Sequence, residues 1–450
     1  MLLRFRTENF LSFNKEIEFS LYARQSRTLP EQTIPISNDV YALKTGIIYG
    51  ANASGKSNLI KAINCAKIIV RSGTKNVDIF NRHFRLEKGK IKDPTKFDFE
   101  IKIRDKVYNY GFALNVSSRK IIEEWLFEIT KSTEKLIYQR ITNEDESSLV
   151  DIKLKLKKDD KNRLDLIGKN LPPHLLFLGQ VDSNFIRDIE PASPIFEVYD
   201  WFTKKLTIIK PNQKFGEIDF IGEDTDLSKA FCEFLKIFNL GIEGIESVNL
   251  DFEKTLAHFP DKLKESFTKD LEPNKKTIIS INDERYSILK KESGEMIIVR
   301  LKTKHKVKNS KQFEFFETNE ESDGTQRVFD FIPALANLAN EDVVYIIDEI
   351  DRSLHPILTK GILELFLKNS QGLSSQLIFT THESSLLDLK LVRKDAIWFV
   401  EKNEFSESDL YCLDEFKPRP DKLINKDYLL GRYGAIPFLG DIENLGWLKN

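Results

Sequence analysis

Leu3, Phe5 and Thr7 alternate with Arg4, Arg6 and Glu8, and Ile17, Phe19 and Leu21 repeat the alternation after Asn9-Phe10-Leu11-Ser12-Phe13. A period of two on both sides of a short turn predicts an opening β-hairpin. Residues 44 to 70 change character. Thr45 to Tyr49 is a short apolar strand, Gly50 to Gly55 is small and polar, and Lys56 to Val70 has helical composition. From 97 to 140 the period returns to two: Phe97, Phe99, Ile101 and Ile103, a turn at Arg104-Asp105-Lys106, then Tyr108 to Leu114, Ile121 to Ile129 and Leu136 to Arg140. These segments predict an antiparallel meander. The polar stretch Asn143 to Asn170, with Lys153, Lys155, Lys157, Lys158 and Lys161, reads as a surface excursion, and His174 to Gln180 as an apolar strand ending at Gln180.

Residues 226 to 239 predict a helix with Asp226 as its cap and Gly241 just past its end. Phe252, Leu256, Phe259, Leu263, Phe267 and Leu271 recur every three or four residues, but Pro260 interrupts them and about 20 residues of helix span only about 30 Å. A long coiled-coil arm is excluded. Alternation resumes at Tyr286, turns at Glu292-Ser-Gly-Glu295, and from 321 short strands alternate with helices. No internal repeat is present. The reading divides the chain at 1–211, 212–310 and 311–450, the middle part being an inserted lobe.

Length and composition narrow the class. The 450 residues leave room for two to four cores, and 41% hydrophobic residues with 33 Phe exclude a largely disordered chain. Against 70 Asp and Glu stand 68 Lys and Arg, so the net charge of −2 supplies no global field toward nucleic acid or anionic lipid. Cys65, Cys232 and Cys412 are too few and scattered for a disulfide frame or zinc cluster, as in a reducing compartment. No apolar run approaches the roughly 18 residues of a membrane span, so a soluble, cytoplasmic protein is expected.

Gly50-Ala51-Asn52-Ala53-Ser54-Gly55-Lys56-Ser57 matches the phosphate-binding pattern GxxxxGK[ST], and it lies between a strand and a helix as that pattern requires. Its glycines let backbone N–H groups encircle phosphate oxygens, Lys56 reaches the outer phosphates, and the Ser57 hydroxyl suits magnesium. Such a loop needs a metal-holding acid at the end of a neighbouring strand. Val343 to Ile347 followed by Asp348-Glu349 provides it, Asp348 for the metal and Glu349 to orient or deprotonate water. Asp348 follows Lys56 by 292 residues, so a large lobe is inserted between the two halves of the site. Gln376 to Thr381 is a further apolar strand, ending at His382, which can contact a terminal phosphate. Gln180 is a candidate for the metal or for water. Glu321-Ser322-Asp323-Gly324-Thr325-Gln326-Arg327 predicts a Ser-capped helix start whose N–H groups form a second anion site, and it is expected to complete the phosphate site of a second protomer. Ser353-Leu-His-Pro356 reads as a turn into a helix. Arg300, Lys302, Lys304, Lys306 and Lys308 occupy alternate positions, either as a phosphate-tracking strip for DNA or a phosphorylated partner, or as a solvated edge strand guarded by lysines.

The order of phosphate loop, Ser322-Asp-Gly-Thr, Asp348-Glu349, Ser353-Leu-His-Pro and His382 resembles the ABC-type ATPase heads of the SMC, RecF and OLD group. The opening Asn9 to Phe13, the runs Glu321 to Arg327 and Asp348 to Pro356, and Tyr428 to Pro437 look like the RloA-type ATPases, which include the ATPase subunit of the PARIS phage-defence system. The resemblance is weakest from about 212 to 310 and departs from transporters, which carry Ser-Gly-Gly in place of Ser-Asp-Gly-Thr. It implies an α/β, ABC-type P-loop NTPase head with an antiparallel β lobe and an inserted α+β lobe. It implies ATP and Mg2+ as cofactors, with Lys56, Ser57, Asp348, Glu349, Ser322 and His382 in the group's usual roles. It further implies a homo-oligomer of paired heads and a separate effector, a toxin or Toprim-like nuclease, with DNA or a phage protein as trigger. The 68 residues after His382 hold no Asp-x-Asp pair, so the chain is not expected to be a nuclease itself. The expected role is an ATP-hydrolysing sensor and scaffold in phage defence; a DNA-repair or chromosome-maintenance ATPase and a non-hydrolysing structural module remain open beside it.

Overall fold

The computed structural model describes residues 1–26, 28–130, 133–180, 187–212, 226–273, 276–281, 284–419 and 422–437. The chain forms two compact units: Met1–Pro211 with Asn340–Asp351 and Ile362–Asn450, and Asn212–Ala339 with Arg352–Gly361.

In the first unit a six-stranded sheet runs Leu206–Ile209, Val344–Ile347, Gln376–Thr380, Thr45–Tyr49, Ile397–Lys402, Ser408–Cys412. The first five are parallel and the last is antiparallel. Strands of a parallel sheet are covered on both faces, and Thr45–Tyr49, Val344–Ile347 and Gln376–Thr380 are buried at every position. The phosphate loop and the helix Lys56–Ser72 follow the strand Thr45–Tyr49, which lies between Gln376–Thr380 and Ile397–Lys402.

The meander forms part of a seven-stranded antiparallel sheet that also takes in the opening hairpin, with Phe5 opposite Phe19 on one side and Phe99 on the other. Phe5 and Phe99 pack with their rings tilted, 4.7 Å between centroids, and Phe202 meets Phe99 edge-on at 4.9 Å. One continuous apolar core unites these rings with Leu59, Ile63 and Ile69 of the phosphate-loop helix and Ile346 and Ile378 of the parallel sheet.

Two sequence expectations change here. The polar stretch 143–170 is more than a surface excursion, because Ser148–Ile152 adds the outermost strand to the antiparallel sheet and Lys158–Lys169 forms a helix that buries Leu164 and Gly168. Ile152, Leu154 and Leu156 pack against the core while the intervening lysines face solvent. The segment His174–Gln180 is not a strand. Phe177–Gln180 is a short helix, because the carboxylate of Glu124 accepts the N–H groups of Phe177 and Leu178 at 2.7 and 3.0 Å. Glu124 and Arg140, both fully buried, approach to 3.9 Å. Tyr110 and Tyr138 also donate to Glu124, while Arg140 donates to the carbonyls of Leu175 and Pro172 and to Ser148.

In the second unit, Gly244–Asp251, Met296–Lys306, Glu284–Lys290 and Lys276–Ile281 form an antiparallel sheet in that order, with Phe313–Glu317 also paired to Met296–Lys306. The predicted helices appear as Asp226–Ile237, Phe252–Thr255 and Asp261–Asp270, with Pro260 at the break. The side chains of Asp226 and Leu263 lie outside the described residues. The edge-strand reading of the lysine strip is corrected at its middle. Lys302 and Lys304 have neighbours on both sides, Gly244–Asp251 on one and Phe313–Glu317 on the other, while Arg300 pairs only with the former and Lys306 only with the latter. The division of the chain also differs from the expected one: 311–339 and 352–361 group with 212–310. The cause is the helix Asp323–Asn340, whose Val328, Phe329 and Ile332 share a core with Leu235, Ile242 and Leu301. Among the described residues no helix is long and apolar enough to cross a membrane.

Removing Arg140 leaves the Glu124 carboxylate buried without its counter-charge. Arg140→Met is therefore expected to destabilise the first unit by about 3–5 kcal/mol, whereas Lys120→Met, at an exposed pair with Glu146, changes it by no more than about 1 kcal/mol. Urea unfolding followed by tryptophan fluorescence checks this; equal midpoints for the two variants would contradict it.

Candidate functional site

The carboxyl ends of the parallel strands converge on one small polar region. Gly50 follows Tyr49 directly, and a Cβ there would sit 2.5 Å from the carbonyl of Val400 and from Ser54 Oγ, so only glycine lets the loop leave the sheet this closely. Ala53 at φ 64° and Gly55 at φ 119° turn the loop through the left-handed region, the kind of backbone from which anion-binding nests are built. Lys56 Nζ donates to the carbonyls of Gly50 and Ala51 at 2.7 and 3.0 Å, folding back over its own loop. Burial lowers the Lys56 pKa to about 8, against the opposing pull of Asp348, Glu349 and Asp351.

Asp348 is the hub. Its Oδ1 accepts from Ser57 Oγ at 3.0 Å and from Thr380 Oγ1 at 2.7 Å, so the tips of three chain segments meet on one buried carboxylate. Thr380 also accepts the N–H of Glu349 at 2.7 Å, and its carbonyl accepts that of Ile350 at 3.1 Å. These bonds hold Glu349 at φ 54°, a left-handed conformation that an L-residue keeps only when its surroundings impose it. Asp351 accepts the N–H of His382 at 3.0 Å. The His382 side chain is exposed to solvent, yet the protein packed around it and then the Lys56 ammonium lower its pKa, opposed by Asp351, Glu349 and Asp348. Lys56, Ser57, Asp348, Glu349 and His382 are thus brought together.

A hydroxyl and a carboxylate oxygen 3.0 Å apart are hard ligands in a partial set, which suits a magnesium ion that takes its remaining ligands from phosphate and water. Among the described residues no group of three or more His, Cys, Asp or Glu side chains forms a closed metal cage. Gln180 leaves the metal set. Its neighbour Gly179 packs on the carbonyl of Val70, at the end of the helix Lys56–Ser72 remote from the loop, roughly 20 Å from Lys56 at 1.5 Å per residue. A glutamine side chain does not span that distance.

A serine brace had no assigned role in the sequence. Ser408 Oγ donates to the carbonyl of Ser54 at 2.5 Å and meets Ser12 Oγ at 2.7 Å, and Asn58 Nδ2 donates to the same Ser12 Oγ at 2.8 Å. The Asn9 to Phe13 turn therefore clamps the phosphate loop, while Asn9 itself ties to Lys90, Asp93 and Phe84. A Cβ at Gly55 would run into Ser408 Oγ and lie 3.0 Å from Ser12 Oγ. The signal in the sequence was the Asn-Phe-Leu-Ser-Phe run, legible as a motif but not as a contact. The Tyr428 to Pro437 segment packs Tyr428 and Tyr433 on Phe399, and Tyr428 against Tyr49 immediately before the loop.

Ser322 to Thr325 lie in the second unit. Ser322 Oγ accepts the N–H of Thr325 at 3.2 Å and pairs with its hydroxyl at 2.9 Å, capping the helix Asp323–Asn340 as its composition predicted. A Cβ on Gly324 would sit 2.7 Å from the carbonyl of Ser353, so this turn and the Ser353-Leu-His-Pro turn pack together. Glu321 anchors the turn, taking Thr303 Oγ1 at 2.5 Å and His305 Nε2 at 2.7 Å on its carboxylate.

A phosphate loop, a strand-end Asp-Glu pair and a central parallel sheet define an ABC-type P-loop NTPase head of the α/β class. The chain belongs to the family described as "AAA domain, putative AbiEii toxin, Type IV TA system", which matches residues 47–388. No curated protein matches the chain. Among solved structures it is similar to an SMC head domain from Thermotoga maritima, at 12% identity over 91% of this chain and 98% of that one with a TM-score of 0.37. A second is an SmcHead bound to the C-winged helix domain of ScpA, at 15% identity over 93% and 99% with a TM-score of 0.41. A third is an Smc head domain with an extended coiled coil bound to the C-terminal domain of ScpA, derived from Pyrococcus furiosus, at 15% identity over 96% and 99% with a TM-score of 0.39.

The lowered Lys56 pKa has a pH signature. Anionic phosphates raise it back toward its ordinary value, so nucleotide binding takes up a proton between pH about 8 and about 10.5, and affinity falls as pH rises through that window. Calorimetric titration with ATP at pH 9 in buffers of different ionisation enthalpy measures the uptake; heats independent of buffer would contradict it.

Proposed function

We propose that the chain is the ATP-binding and ATP-hydrolysing sensor and scaffold subunit of a bacterial anti-phage system, pairing its heads around ATP and magnesium and controlling a separate effector. The observation that carries the hydrolytic part is the Asp348 hub, which ties Ser57 of the phosphate loop to the strand end preceding Glu349. The defence setting is supported by the family description, which names a putative AbiEii toxin and a type IV TA system, and by the resemblance to RloA-type ATPases.

In this reading the loop N–H groups and Lys56 bind the β- and γ-phosphates, with Lys56 exchanging its contacts to Gly50 and Ala51 for phosphate oxygens. Ser57 and Asp348 hold magnesium, which neutralises charge on the phosphates when bound. Glu349 orients water in line with the γ-phosphorus and takes its proton as the new P–O bond forms and the bond to the β-phosphate oxygen breaks, leaving ADP and phosphate. His382 touches the γ-phosphate and registers its loss. Ser322 to Thr325, the N-terminal turn of a capped helix, meet the γ-phosphate held by a partner head. Occupancy of both sites sets the pairing of heads and so the release of the effector.

Glu349→Gln is expected to bind ATP within about threefold of the wild type and to lose turnover by at least about 100-fold, since it removes the base while keeping shape. Lys56→Ala loses binding itself. Phosphate release and calorimetric titration measure the two separately; normal release by Glu349→Gln would sink the assignment. ATP-dependent pairing of that variant, read by analytical ultracentrifugation, is expected to vanish in Ser322→Arg while ATP binding to the single head persists.

A further inference from the structure

The lysine-bearing face of the hairpin of Met296–Lys306 and Phe313–Glu317 is given no part in the nucleotide chemistry, unlike Thr303 and His305 on its other face, which hold Glu321. Its register sets Lys302 opposite Glu317, Lys304 opposite Phe315 and Lys306 opposite Phe313. Directly opposed residues share a sheet face, so this face carries three lysines interleaved with two phenylalanines and one acid. At its base the charge is partly offset: Glu317 takes both Arg300 at 2.7 Å and Lys302 at 2.9 Å. Toward the tip this face carries no acid, Glu314 lying opposite His305 on the other face. Lys306, Lys308 and Lys311 are exposed and have no ion pair among the described residues, and Lys304 Nζ lies 3.9 Å above the Phe313 ring. Phe313 and Phe315 are 41% and 37% exposed. As alternate residues of one strand they stand about 6.6 Å apart on the same side.

Lysines alone would suit any polyanion. Two exposed rings between them discriminate. The bases of a duplex are stacked inside and offer nothing to a ring standing on a sheet, and an acidic protein surface has no need of two flat apolar platforms. Unpaired bases present π-faces to aromatic side chains while their phosphates run along a cationic groove. We propose that this hairpin binds single-stranded nucleic acid, with bases stacked on Phe313 and Phe315 and phosphates met by Lys304, Lys306, Lys308 and Lys311. The inference stands apart from head pairing and hydrolysis, since none of these residues belongs to the nucleotide site.

The test is fluorescence anisotropy of the full-length chain with labelled oligothymidylate and oligouridylate at low salt. Phe313→Ala with Phe315→Ala is expected to weaken binding roughly 10-fold or more per ring lost. Lys306→Glu with Lys308→Glu and Lys311→Glu is expected to weaken it and to reduce the slope of log affinity against log salt by about 2. An unchanged far-ultraviolet circular dichroism spectrum and unchanged urea-unfolding midpoints in both variants show that the chain, the second unit included, is folded. Tighter binding of the deoxy- or the ribo-oligomer supports the proposal and assigns its source. It is overturned if the wild type binds neither strand, if the phenylalanine variant binds as the wild type does, or if duplex DNA or polyglutamate binds more tightly than the single strand without sensitivity to that variant.

Discussion

The carboxylate of Asp348 sits where three separately encoded pieces of chain must arrive together. Ser57 comes from the start of the phosphate-loop helix, Thr380 from the end of the next strand, and Asp348 from the strand between Leu206–Ile209 and Gln376–Thr380. A buried acid is tolerable when hydrogen bonds surround it, and here the donors are the hydroxyls of Ser57 and Thr380. Everything around the hub preserves its geometry. Thr380 pins the turn that carries Glu349, Asp351 holds the backbone of His382, and Ser12 with Ser408 fixes the loop from its other side. The brace consists of short hydroxyl side chains with few rotamers, so it restrains the loop at low entropic cost.

The second unit has its own logic. The turn at Ser322 hangs from Glu321, which bonds Thr303 and His305 on the long central strand, and Gly324 rests on the turn at Ser353. The helix that follows buries Val328, Phe329 and Ile332 with residues of the same unit. Its beginning is therefore held by the sheet of the inserted lobe, although in sequence it directly precedes the strand of Asp348. Lys302 and Lys304 point from one face of that strand while Thr303 and His305 point from the other, so a single strand serves both surfaces.

Local signals were readable from the chain alone. The strand, loop and helix at 45–72, the four-stranded meander, the break at Pro260 and the strand before Asp348 all follow periodicity and punctuation. What failed depended on distant partners. Phe177–Gln180 reads as strand by composition and becomes helix because Glu124, more than 50 residues earlier, caps it from inside the core. Lys302 and Lys304 lost their edge position because Phe313–Glu317 returns to pair with them. The alternation at Ile152, Leu154 and Leu156 was present but masked by the lysines between them, which dominate any average over the segment. Ser12 and Ser408 are linked across 396 residues, and no local pattern could announce that contact.

The strand Thr45–Tyr49 has one more property. It is apolar and buried at every position, and both of its hydrogen-bonding neighbours, Gln376–Thr380 and Ile397–Lys402, are encoded more than 300 residues later. A ribosome extending this chain at about 5–20 residues per second leaves that strand without neighbours for tens of seconds. During synthesis it is two bare edges of an unfinished sheet, the kind of surface that chaperones cover and that neighbouring nascent chains can capture. The antiparallel sheet nucleated by the opening hairpin is by contrast complete once residue 152 has emerged. The architecture that splits the site thus orders its birth: the β lobe closes first, and the central strand waits for the end of the chain.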